Sequence, residues 1–133
     1  MFETIRKLFS RTPQWKPPLI LTIEERRRIF GNVLGQIMAE YSRGEHLFDI
    51  DFMLESASPG WGAWDYGFND PYFEDAILVV ETFLDQVEHG VDFSVPTKEL
   101  IPFLDVIVPA FKNGKSFDNA GISDLRKRIR GAA

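Results

Sequence analysis

Glu74, Glu81 and Glu88 recur every seven residues, and Asp85 falls one turn beyond Glu81. On a helix this spacing lines carboxylates along one side. From Gly44 to Thr97 the chain carries twelve Asp or Glu and no Lys or Arg to offset them. Like charges at helical spacing each destabilise slightly. The expected compensation is a basic neighbour within the fold or a basic partner outside it. The net charge of −5 conceals this centre. Residues 1–43 hold eight basic and four acidic side chains, and residues 98–133 hold seven and four. Such asymmetry marks either a binding face or an acidic middle neutralised by the chain's own ends.

A second group lies in "GWGAWDYGF", Gly60 to Phe68. Asp65 is framed there by Trp64 and Tyr66, with Trp61 a turn earlier. Aromatic faces stack on sugars, and a carboxyl raised by burial serves as a general acid. The same rings are the residue types that dominate protein hot spots. Loops of this length are anchored by their own side chains, so two of the rings are expected to close the core.

Other chemistry finds less support. His46 and His89 form a metal site with Asp49 and Asp85 only if the fold joins the two segments; one His and one carboxylate do not fill a zinc site. As helix-end residues both suit the negative end of the dipole. "NGKS", Asn113 to Ser116, resembles the end of a phosphate loop, but the required first glycine is Pro109, and Asn119 and Gly121 interrupt the helix that should follow. No catalytic residue, metal or cofactor is assigned. The aromatic stretch lacks interleaved basic residues and the acidic centre repels phosphate, so nucleic acid is not an expected partner. The chain has no cysteine, which removes disulfides, thiolate zinc sites and cysteine nucleophiles.

The elements that position these groups follow from periodicity and caps. With 133 residues and 44% apolar side chains, one domain with a real core is expected. Residues 1–12 read as an amphipathic arm, with Phe2, Ile5, Leu8 and Phe9 on one side. Arg6, Lys7 and Arg11 break any apolar run, so the arm is not a secretory signal. Residues 13–20 hold three prolines and read as an extended linker. A helical domain is expected over residues 21–131. Thr22 to Glu25 is a capping box, opening a helix to about Arg43 with Phe30, Val33, Leu34, Ile37, Met38 and Tyr41 inward. Arg26, Arg27 and Arg28 read as its solvated first turn. Gly31 and Gly35 share a face that admits close approach of another helix. A second helix runs from Asn69 or Asp70 to Gly90, with Phe73, Ala76, Ile77, Val80, Phe83, Leu84 and Val87 as its core stripe. A third starts near Leu100 and is broken or kinked by Pro109. Asp105, the only polar residue from Leu100 to Phe111, is expected to be buried and paired. A short basic helix follows Ser123.

The fold class expected is mainly α, a single domain of four to five helices with at most one short two-stranded element. The alternative is α+β with a small antiparallel sheet from residues 47–54, 91–95 and 104–108. No apolar run is long enough to span a membrane, and a cytoplasmic location is expected. The leading functional reading is a non-enzymatic protein-binding module. It engages a basic protein partner through Trp61, Trp64, Asp65, Tyr66, Glu74, Glu81, Asp85 and Glu88, as an inhibitor or toxin-immunity protein does. The second reading is a ligand binder or small enzyme with a pocket at residues 60–68. The third is a homo-oligomer that associates through Gly31 and Gly35 or through the arm.

Overall fold

A computed structural model describes residues 21–61, 71–117 and 120–132. Five helices lie among the described residues: α1 (Ile23–Tyr41), α2 (Ile50–Ala57), α3 (Pro71–His89), α4 (Thr97–Lys112) and α5 (Ala120–Ala132). No strand occurs among the described residues. The mainly helical class therefore holds and the α+β alternative does not. The expected arm and linker lie outside the described residues.

Thr22 starts α1 as expected. Its Oγ1 accepts from Glu25 N at 3.1 Å, and Glu25 Oε1 accepts from Thr22 N at 2.8 Å. Two donors of the first turn are thereby satisfied. The helix ends at Tyr41, and Gly44 at φ +100° turns the chain away. Phe30, Val33, Leu34 and Ile37 are buried, while Met38 and Tyr41 pack against the core.

The three stretches with strand-like patterns all resolve differently. Asp49 accepts from Phe52 N at 3.1 Å and so caps α2, which makes its alternating Phe and Asp the start of a helix. Residues 91–95 form the connection between α3 and α4. Gln86 holds that connection: its Nε2 donates to Val95 O at 2.8 Å and Thr97 Oγ1 at 3.1 Å, and its Oε1 accepts from Ser94 N at 2.8 Å. Gln86 is itself buried. Gln86→Ala is expected to cost about 2 kcal/mol, because the buried Val95 carbonyl and the partly buried Ser94 amide lose their partner; urea unfolding measures it.

Residues 104–108 belong to α4, which starts at Thr97, before Leu100, and continues through Pro102 and Pro109 to Lys112, so of the expected break or kink at Pro109 the break does not occur. Each proline removes one intrahelical donor. Both sit on the exposed face, and the apolar stripe of Leu100, Leu104, Ile107 and Phe111 stays intact against the core. Asp105 falls off that stripe and is exposed, not buried and paired as its apolar setting suggested. "NGKS" follows the C-terminus of α4. Gly114 sits at φ +72° there and donates to Phe111 O at 2.8 Å, a helix ending and not a phosphate cradle.

α1 packs chiefly on α4, α3 on α4 and α5, and α2 on α1. Rings join the layers: Phe73 lies 5.1 Å from Phe30 and 5.2 Å from Phe111. The Gly31–Gly35 face is where α4 comes closest. A Cβ on Gly31 would stand 2.6 Å from Lys112 N. The surface expected to serve self-association is thus covered within the chain.

The arginine run divides three ways. Arg26 is buried, not solvated, with its guanidinium 4.4 Å from the Trp61 ring centroid and 5.5 Å from that of Phe73. Stacking on two rings replaces hydration of a weakly hydrated cation. Arg27 Nη1 donates to Gly114 O at 3.4 Å, and Arg28 stays exposed beside Gly114. Both thereby favour the negative C-terminal end of α4.

A candidate acidic groove between α2 and α3

α3 turns its apolar stripe inward, which leaves Glu74, Glu81, Asp85 and Glu88 exposed. The stripe itself runs through Phe73, Ala76, Val79, Val80 and Phe83; Ile77, expected inside, is exposed. Residues 47–51, leading into α2, lie beside residues 81–88 of α3. Between them lies an open groove of about 740 Å³, lined by Leu47, Phe48, Asp49, Ile50, Asp51, Glu81, Leu84, Asp85 and Glu88. Five of those residues are carboxylates and none is Lys or Arg.

Glu81, Asp85 and Glu88 therefore meet in one place, joined by Asp49 and Asp51. Glu74 is exposed two turns before Glu81 and does not line the groove. Trp64, Asp65 and Tyr66 lie outside the described residues. Trp61 is half-buried against Arg26 and Phe73, so this ring helps close the core. It still shares a smaller hollow of about 140 Å³ with Asp51 and Glu81. The apolar side of the groove is formed by Leu47, Phe48, Ile50 and Leu84, of which Leu47 is 65% exposed.

The basic C-terminal helix neutralises other acids. Arg126 pairs with buried Asp75, and Arg128 with Glu99 at 2.8 Å. His89 closes α3, its Nδ1 2.8 Å from Asp85 O and 3.9 Å from Asp85 Oδ1. Asp49 and Asp85 share the groove, but His46 and His89 do not line it. Among the described residues no three His, Asp or Glu are placed to hold a metal ion.

Burial, then the Asp51 and Asp85 carboxylates, raise Glu81 above its ordinary value of 4.5. The folded state holds this proton more tightly than the unfolded chain. Ionised Glu81 therefore costs stability above its folded pKa, and the cost disappears as pH falls below the unfolded value. Glu81→Gln is expected to raise the melting temperature at pH 7, with the gain vanishing below about pH 4. Thermal melts across pH check both halves.

No helix among the described residues is long and apolar enough to cross a membrane. The chain matches no family model, no curated protein and no solved structure.

Proposed function

We infer that the groove binds a basic segment of a protein partner, set on apolar residues and held by lysine or arginine. One observation carries this reading: five carboxylates line the groove with no Lys or Arg among them, beside exposed Leu47. Burial first, and then repulsion from Asp51 and Asp85, raise Glu81; an incoming cation relieves the repulsion. Apolar contact supplies affinity, while the charges steer encounter and exclude acidic partners. An inhibitor or immunity protein that covers the cationic surface of a nuclease is a concrete form of this role. The encounter belongs in the cytoplasm, in keeping with a chain that uses no cysteine. The protein is a binding module, not an enzyme.

The ligand-pocket alternative draws on the hollow beside Trp61. The described residues give that hollow about 140 Å³, and Trp64, Asp65 and Tyr66, on which the alternative depends, lie outside them. The test compares two helical peptides, one of leucine and lysine, the other of leucine and glutamate. The lysine peptide is expected to bind and to weaken as salt rises. The glutamate peptide is not expected to bind. Equal binding of both, or binding indifferent to salt, would refute the reading.

A further inference from the structure

We propose that a hollow between α3, the 91–95 connection and the last turn of α5 binds a small organic cation, an ammonium group carried on an aromatic or branched apolar body. It shares Glu81 and Asp85 with the acidic groove and none of the groove's other residues. The inference does not depend on the groove reading.

The hollow measures about 260 Å³. That is the liquid volume of about nine waters, room for one ring with a short chain. Its lining follows from the sequence of α3. Leu78, Glu81, Thr82 and Asp85 are spaced three and four apart and so share one helical face. Phe93, Ser94 and Ile129 close the hollow opposite them. Leu78, Phe93 and Ile129 supply apolar contact, while Glu81 and Asp85 supply charge. No Lys, Arg or His lines it.

The lining favours a cation on more than charge. Ser94 Oγ is buried with no hydrogen-bond partner among the described residues. Leaving a buried hydroxyl unpaired costs free energy, which a ligand that bonds to it recovers. Thr82 is buried too; its Oγ1 donates to Leu78 O at 2.9 Å and keeps its lone pairs as acceptors. His89 Nδ1 stands 3.9 Å from Asp85 Oδ1, too far for a hydrogen bond. An ammonium brings three donors and no acceptor to this set. Carboxylates four residues apart on a helix have Cβ atoms about 6 Å apart, a gap that one ammonium bridges. An anion would meet two like charges, and a neutral ring would leave both carboxylates unpaired.

The wall is also ordered before any ligand arrives. Gln86 Oε1 accepts from Ser94 N at 2.8 Å, and its Nε2 donates to Val95 O at 2.8 Å. The His89 ring stands edge-on to Phe93, with centroids 6.4 Å apart. Phe93 is still 51% exposed, so the ring is open to contact. Fixing these groups in advance lowers the cost of binding.

Titration of the full chain with phenethylammonium, followed by amide and isoleucine methyl shifts, tests the site. Shifts are expected at residues 78–85, 93, 94 and 129, with a Kd on the order of 1 mM. Phenylacetate, the same ring with the opposite charge, should leave them unmoved. Phe93→Ala should weaken binding about tenfold. Ser94→Ala should weaken it about fivefold, yet raise the melting temperature of the free protein by deleting the unpaired hydroxyl. Weaker binding in a more stable variant separates a ligand contact from a structural role. Equal binding of both ions, unchanged affinity in both variants, or no shift at saturating amine overturns the proposal. Shifts centred on residues 47–51 without 93, 94 and 129 also overturn it, and leave the groove reading standing.

Discussion

Gly31→Val is expected to destabilise the protein by about 3 kcal/mol, a fall in melting temperature of about 10 °C. A Cβ at position 31 would meet Lys112 N at 2.6 Å and Phe111 C at 2.8 Å. Those are backbone atoms of α4, and α4 cannot retreat without pulling Leu104, Ile107 and Phe111 from the core. Gly35 makes the control. A Cβ there would meet Lys112 Cε at 2.8 Å and Nζ at 3.0 Å, the far end of a flexible side chain that can swing aside. Gly35→Ala then gains helix propensity, up to about 1 kcal/mol, with little to offset it. Opposite signs at two glycines one turn apart would locate the close approach at Gly31. Equal and small effects at both would mean that α1 and α4 do not meet as described.

Glu81→Lys combined with Asp85→Lys is expected to weaken binding of the leucine–lysine peptide about a hundredfold. The pair swaps two of the five groove carboxylates for cations and leaves the apolar residues in place. Both side chains lie at the surface of the groove and neither belongs to the core. Burial, the larger cause of the Glu81 shift, disfavours either charge at that position, while the reversal relieves the smaller repulsion from Asp51, so the variant is expected to keep the parent's stability at neutral pH. Lost binding with retained stability rules out unfolding as the cause. Binding unchanged by the double reversal would place the peptide elsewhere. Glu74→Lys, outside the groove, should change affinity less than about threefold, through long-range attraction alone.

Much of the helical layout was legible because its signals are local. The capping box at Thr22, Pro71 at the start of α3, and the glycines after α1 and α3 each act within one turn of chain. The misread stretches had two local explanations of equal appearance. Phe48, Ile50 and Phe52 alternate with Asp49 and Asp51, a strand pattern, yet Asp49 is also a good N-cap and its side chain takes that role. Asp105 looked buried because its neighbours are apolar, but one helical face of four residues is enough to seat α4. Arg26 looked solvated because it sits in a run of three; only the placement of Trp61 and Phe73 reveals the two rings that hold it.

The candidate site was half legible for the same reason. The acidic side of α3 follows from spacing along one helix, so Glu81, Asp85 and Glu88 could be named together. That Asp49 and Asp51 join them depends on the path of the chain between α1 and α2, which no periodicity records. The glycine pair announced a close neighbour without saying which. Its neighbour is α4, so the same residues are not available to a second copy.

The central claim is that the groove between α2 and α3 is where a basic partner lands. Amide chemical shifts during titration with the leucine–lysine peptide test it most directly. Changes are expected only at residues 47–51 and 81–88, and they should grow as salt is lowered. Changes centred on α4 or α5, or none at saturating peptide, would contradict it.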